Sequence, residues 1–208
     1  MGKELDRLRE RNIGWPSPLD YLLGVGTPLV RLGMWWRLRG PRTRVEARVI
    51  SLGNLTAGGT GKTPAVIARA QAEIAAGRRV AVLTRGYGSQ RVREPYVLPP
   101  GTPLPETPLY KLIGDEPALI RRRAPGITLV KSADRVAGAH AAIAAGCDTI
   151  LLDDGFQAVA LERDENILLV DATNAFGNGH LLPRGILREP VAAAGRATEI
   201  ILTRCDQV

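Results

Sequence analysis

The apolar run Ala47-Arg48-Val49-Ile50-Ser51-Leu52 passes directly into Gly53-Asn54-Leu55-Thr56-Ala57-Gly58-Gly59-Thr60-Gly61-Lys62-Thr63. That order predicts a strand, a glycine-rich turn and then a helix over Pro64 to Ala76. Small residues let successive backbone N–H groups converge on phosphate oxygens, and the helix N-terminus adds partial positive charge. The Gly61-Lys62-Thr63 tail is the working end of such a loop: the lysine reaches terminal phosphates and the threonine hydroxyl serves Mg²⁺. The pattern G-x-x-x-x-G-K-[ST] is met except at its first position, where Thr56 stands; Gly58 and Gly59 supply permissive dihedrals instead. Pro64 suits a first helical turn, where a missing N–H costs little. Residues Thr56, Ala57, Gly58, Gly59, Thr60, Gly61, Lys62 and Thr63 are therefore the expected nucleoside-triphosphate loop.

A second run, Cys147-Asp148-Thr149-Ile150-Leu151-Leu152-Asp153-Asp154, reads as a buried strand ending in two carboxylates. An acid at such a strand end helps hold Mg²⁺ beside a phosphate loop. Adjacent strand residues point to opposite faces, so one carboxylate is expected to serve the metal and the other the loop or the substrate.

Elsewhere the chain alternates apolar runs with helical stretches. Strands are expected at Val45–Leu52, Arg79–Thr84, Ile127–Lys131, Asn166–Asp171 and Glu199–Thr203. Helices are expected at Glu116–Arg123 and Ala133–Ala145, with an irregular loop or hairpin over Arg85–Thr107. This is the pattern of an α/β, doubly wound, mainly parallel sheet of the P-loop NTPase-like kind. In a chain of 208 residues it leaves room for one core and a small appendage. Nothing approaches the ~20 apolar residues of a spanning helix. Cys147 and Cys205 have no metal-type spacing and are expected to be buried thiols of a reducing compartment.

The net charge of +7 is uneven: residues 1–48 hold ten Lys/Arg against five Asp/Glu. Trp15, Trp35 and Trp36 lie there too, beside Leu19, Leu22, Leu23, Val30, Leu32 and Leu38 and flanked by arginines. A helical segment from about Pro18 to Leu38, broken near Gly24–Pro28, would place rings at headgroup level and cations toward anionic lipid, although packing on the core is the plainer alternative. Residues 1–44 are thus read as an amphipathic, basic membrane-interface segment and 45–208 as the core. Nucleic acid fits less well, because the cations interleave with leucine and not with a single-strand stacking platform.

Other constellations admit two readings each. Gly114-Asp115-Glu116-Pro117 opens a helix, where the acids either cap or act on substrate or metal. Thr84-Arg85-Gly86-Tyr87-Gly88 follows a strand, with Arg85 a phosphate clamp or a surface residue. Arg184 and Arg188 sit in a Gly/Pro-rich section, and His180 is expected to be a loop hydrogen-bonder. Leu202-Thr203-Arg204-Cys205-Asp206 is a weak match to the base-reading [NT]-K-x-D turn, with Arg204 in place of lysine.

Taken in order, the phosphate loop, Thr-Arg-Gly-Tyr-Gly, Gly-Asp-Glu-Pro, Asp-Asp-Gly-Phe-Gln and Leu-Pro-x-Gly-x-Leu-Arg-Glu-Pro resemble the tetraacyldisaccharide 4'-kinase family from about residue 15 to 208. The resemblance implies an ATP- and Mg²⁺-dependent lipid kinase, peripheral on the cytoplasmic face of the bacterial inner membrane. It would phosphorylate the 4'-hydroxyl of an acylated disaccharide lipid A precursor. It implies Asp115, Lys62 and Asp154 as catalytic residues, with Asp115 the base. Thr63, Glu116 and Asp153 fall on the metal side, and Arg85, Gln157 and Arg188 on the substrate side. The chain departs from the family in having Ala158 where histidine follows Asp-Asp-Gly-Phe-Gln. Neither His140 nor His180 matches the histidine of the family's carboxy-terminal lobe, which is expected to lie outside these residues. Two competing readings remain: a P-loop GTPase or ATPase switch or chaperone in which Asp206 reads guanine, and a catalytically impaired, truncated adaptor.

Overall fold

The computed structural model describes residues 27–86, 89–90, 92–102 and 109–208. They form two compact units. The larger comprises Pro41–Gly53 and Lys62–Asn166; the smaller comprises the described residues up to Gly40 together with Asn54–Gly61 and Ile167–Val208.

In the larger unit, β1 (Arg48–Gly53), β2 (Val80–Thr84), β4 (Thr128–Lys131) and β5 (Thr149–Asp153) are mutually parallel, and β3 (Tyr96–Leu98) adds an antiparallel edge. The order is β3-β4-β2-β5-β1. Every residue of β2, β4 and β5 is buried, which is why these strands are continuous apolar runs and not alternating ones. The register sets Val49 beside Ile150 and Ala81 beside Ile150, so Val49, Ala81, Leu83, Ile150 and Leu152 share one face. Helix α5 (Arg135–Ala144) covers that face through Ala139 and Ala142. Gly138 makes this approach possible: a Cβ there would lie 2.5 Å from Leu83. Helix α2 (Lys62–Ala75) buries Val66 and Ala70, and α4 (Asp115–Arg123) buries Ala118 and Ile120. A five-residue helix, α3 (Leu109–Ile113), precedes α4. Each fully buried Leu or Ile in such layers is worth about 1.5–3 kcal/mol.

Charges at the amino ends of these strands are paired. Glu73 of α2 meets Arg48 at 3.4 Å, Arg69 at 2.8 Å and Arg78 at 3.0 Å. Arg48 and Arg69 also hold Glu165. Arg79 and Asp148, just before β2 and β5, pair at 3.1 Å.

In the smaller unit, β6 (Glu165–Asp171, its first two residues belonging to the larger unit) pairs in parallel with β7 (Glu199–Thr203). Helix α1 (Thr27–Arg39) buries Met34 but exposes Leu32, Trp35 and Trp36. The two indoles meet edge to face at 6.2 Å, and the Arg39 guanidinium lies 4.1 Å from the Trp35 ring centre. The rest of the expected basic segment, residues 1–26 with Trp15, Leu19, Leu22 and Leu23, lies outside the described residues. No helix among the described residues is long and apolar enough to cross a membrane.

Two expectations need correction. The loop over Arg85–Thr107 contains β3, because Tyr96-Val97-Leu98 finds a free edge on β4. Cys147 is buried, but Cys205 is exposed, since it lies in a short 3-10 turn just past β7.

Candidate active site

The phosphate-type loop divides into two parts. Its first half is tied down within the smaller unit: Ala57 N–H donates to the Ile186 carbonyl and Arg188 N–H to the Leu55 carbonyl, both at 2.7 Å. Thr56 is buried and its hydroxyl accepts from Asn54. Ala57 N–H is engaged in that pairing, and Gly58 to Gly61 carry the chain on toward Lys62. Gly58 (φ 126°) and Gly61 (φ 73°) occupy dihedrals that only glycine adopts without strain, so the turn can coil as the pattern requires. The same pairing sets half-buried Arg188 beside the loop's start. Arg184 lies in the same section, its carbonyl accepting from the Asn178 amide at 3.1 Å.

The loop runs covalently into α2. The helix begins at Lys62 and not at Pro64, so Lys62 and Thr63 stand in its first turn. Lys62 Nζ lies 3.8 Å from Asp154 Oδ1. Asp154 has φ 54°, a left-handed conformation that Asp tolerates better than most residues. The alternation expected of two adjacent strand residues does not apply, because β5 stops at Asp153 and Asp154 turns. Gly155 completes the turn where a Cβ would lie 2.5 Å from Leu152. Phe156 then buries completely, while Gln157 and Ala158 stay half-buried.

Asp153 is buried, and one oxygen accepts from the Thr84 hydroxyl at 3.2 Å. Its other oxygen, Oδ1, is buried with no hydrogen-bond partner among the described residues. Burial first, then the Glu116 and Asp154 carboxylates, push Asp153 up to about 6, against the lowering by Thr84 and Arg135. A carboxylate in this position gains from a cation. No group of three or more His, Cys, Asp or Glu among the described residues is arranged to hold a metal by itself. Mg²⁺ keeps several waters and phosphate oxygens, however, so one or two carboxylates and a hydroxyl fit it.

Asp115 and Glu116 are exposed in the first turn of α4. The capping position belongs to Gly114, and both acids stand in the first turn, where a carboxylate also favours the helix dipole. Arg85 is exposed just past the end of β2, while Tyr87 and Gly88 lie outside the described residues. His140 is exposed on α5; His180 is exposed, and its backbone N–H donates to Asn178 at 3.1 Å.

Several positioning groups escaped the sequence reading. Arg135 is buried and donates to the Asp153 carbonyl at 3.1 Å. Arg163 donates to the carbonyls of Gly155, Phe156 and Ala158, so one guanidinium organises the turn after the acids. Lys131, buried at the end of β4, donates to the carbonyls of Gln90 and Leu112, on the segments that lead from Arg85 and toward Asp115. For Lys131 the signal in the sequence is a cation closing an apolar strand.

A parallel α/β sheet, a glycine turn feeding a helix with lysine in its first turn, and an acidic strand end beside that lysine define a P-loop NTPase-like fold. The tetraacyldisaccharide-1-P 4'-kinase family model matches residues 17–208, and the chain belongs to that family. A tetraacyldisaccharide 4'-kinase of Anaeromyxobacter sp. (strain Fw109-5) is 48% identical over 172 residues, covering 80% of this chain and 44% of that protein. Another, from Syntrophus aciditrophicus (strain SB), is 47% identical over 193 residues, covering 89% and 51%. The chain spans about half the length of the curated relatives it matches. Among solved structures, the "apo" form of LpxK from Aquifex aeolicus in complex with ATP has a TM-score of 0.74 and 32% identity, covering 91% of this chain and 58% of that one.

Proposed function

We propose that this chain carries the nucleotide-binding and catalytic part of an ATP-dependent kinase. It moves the γ-phosphate to the 4'-hydroxyl of a tetraacyldisaccharide 1-phosphate, a lipid A precursor. The observation that carries the reading is the 3.8 Å approach of Lys62 Nζ to Asp154 at the end of β5, which suits one Mg²⁺·triphosphate. Gly58 to Gly61 present backbone N–H groups to the phosphates, and Lys62 neutralises the terminal ones. Thr63, Asp153 and Glu116 are the groups that would hold Mg²⁺, which supplies charge neutralisation across the phosphate oxygens.

Phosphoryl transfer needs positioning and charge stabilisation more than covalent chemistry. Asp115, exposed in the first turn of α4, takes the proton from the attacking hydroxyl. Arg85, Gln157 and Arg188 are the residues assigned to the acceptor, the two arginines to its anionic groups. The exposed Leu32, Trp35 and Trp36 of α1, with Arg39, meet the anionic inner-membrane surface and keep the acyl chains in lipid while the headgroup reaches the loop. The test is transfer of label from γ-labelled ATP to the tetraacylated disaccharide. Transfer that is lost in Lys62→Ala, with vesicle binding intact, is the expected result. Failure of the wild-type chain to bind Mg·ATP, or full activity in Lys62→Ala, would refute the proposal.

A further inference from the structure

The Thr203-Arg204-x-Asp206 turn has no part in the chemistry above, yet it grips the phosphate loop within the smaller unit. Arg204 Nη2 donates to the Gly59 carbonyl at 2.8 Å, and its Nη1 donates to Asp171 Oδ2 at 2.7 Å. The Thr203 hydroxyl donates to the Thr60 carbonyl at 3.0 Å. A peptide unit is planar and trans, so its C=O and the next residue's N–H point in opposite directions. Holding the Gly59 and Thr60 carbonyls on the strand side therefore turns the N–H groups of Thr60 and Gly61 to the opposite side of the loop. That is the side an anion needs.

We propose that Arg204 is a positioning residue. Anchored on Asp171 and aided by Thr203, it presets the peptide planes of the loop so that the Thr60 and Gly61 N–H groups face the phosphates. The inference rests on the nucleotide-binding reading above. It replaces base reading as the role of this motif.

Three further observations support it. Asp171 is itself fixed, accepting from the backbone N–H and hydroxyl of Thr173 at 3.0 and 2.6 Å. Burial works against its charge, but Thr173 and Arg204 outweigh it and hold the carboxyl below its ordinary range, so the anchor is ionised at neutral pH. Arg204 adopts a left-handed conformation, φ 56°, and Gly61, at φ 73°, lies in ordinary van der Waals reach of Thr203, so the turn and the loop are neighbours. Arginine suits this position better than lysine because two terminal nitrogens reach two partners at fixed geometry. With its charge balanced by Asp171, the guanidinium orients the loop without competing for the anion.

The test compares the dissociation constant of Mg·ATP for the protein and its variants, by calorimetry below every melting temperature. Arg204→Met is expected to weaken binding about tenfold, the loss of a charge-assisted bond. In transfer assays that loss belongs in KM for ATP, with kcat at saturating ATP within about twofold of wild type. Arg204→Lys should recover part of the affinity. Adding Asp171→Asn to Arg204→Met should cost little more, because both act through one bond to Gly59. An affinity for Mg·ATP within twofold of wild type in Arg204→Met, with a lower melting temperature alone, overturns the inference and leaves a merely structural ion pair. If Arg204→Met does not fold, Thr203→Val decides: about threefold weaker binding supports the inference, and unchanged binding overturns it. A wild-type protein that binds no ATP, or a Lys62→Ala variant that binds it normally, fails the nucleotide reading and takes the clamp with it. Loss in Lys62→Ala with none in Arg204→Met fails the clamp alone.

Discussion

The two ends of the sheet in the larger unit treat charge in opposite ways. At the amino ends of the strands every acid in the cluster has cations: Glu73 has Arg48, Arg69 and Arg78, Glu165 has Arg48 and Arg69, and Asp148 has Arg79. At the carboxyl ends the acids crowd one another. Asp153 is raised to about 6 by burial and by Glu116 and Asp154, and it keeps a buried oxygen without a hydrogen bond among the described residues. At one end cations surround the acids; at the other, Lys62 beside Asp154 and Arg135 near Asp153 do not offset burial and carboxylate crowding, so a further cation is favoured. Open parallel sheets take ligands at their carboxyl ends, and here that end is also the one where a buried acid, Asp153, is raised above its ordinary value.

The contrast can be broken most severely at Lys62. Lys62→Ala should lower phosphate transfer by about 10³-fold or more, measured with γ-labelled ATP, because it removes a preorganised charge from the developing negative centre. At the same end, Asp115→Asn should lower kcat by about 10²-fold while leaving ATP affinity within about twofold. Equal losses in both would make Asp115 a metal or structural residue instead.

The pH dependence of stability separates the ends by sign. Asp153 has a folded value near 6 against an ordinary 3.8. Between those values the folded protein keeps a proton that the unfolded chain has released. This group's contribution therefore falls as pH rises from about 4 to about 6 and is level above that; the whole interval amounts to about 3 kcal/mol at most. Asp153→Asn should abolish that slope in urea unfolding series without magnesium. Asp148, at the opposite end, has the reverse sign. Burial raises it, but its bonds to Arg79 and Thr149 outweigh this and hold it below its ordinary value. It stabilises above about pH 4 and loses that contribution as pH falls further. The smallest expected effect is at Glu73. Glu73→Ala should cost about 1 kcal/mol in the urea midpoint, because Arg78 loses its carboxylate while Arg48 and Arg69 keep Glu165. Transfer per folded molecule should be unchanged, which would mark that end as structural.

Much of this was legible before any coordinates. The Gly-Lys-Thr junction announced strand, turn and helix because glycine, a helix-starting proline and an apolar strand each speak locally. The Asp-Asp strand end was legible for the same reason. Thr84, Lys131, Arg135 and Arg163 were not, since their meaning lies in which carbonyl or carboxylate a distant segment brings to them. Asp154 differs in detail, because a left-handed turn takes the place of the strand alternation that its position predicts.

β5 and β7 mark the boundary between the two kinds of knowledge. Thr149-Ile150-Leu151-Leu152-Asp153 and Glu199-Ile200-Ile201-Leu202-Thr203 are equally apolar in sequence. β5 lies between β1 and β2 and is buried throughout, whereas β7 has β6 on one side and leaves Ile200 and Leu202 more than half exposed. Local chemistry, the reach of a few residues along the chain, decided the strands, the anion-binding turn and the acids at the sheet's edge. Long-range packing decided which strands flank β5, which acid was raised by burial and neighbouring carboxylates, and which arginine took hold of the loop, because those depend on neighbours that the chain meets only after it has folded.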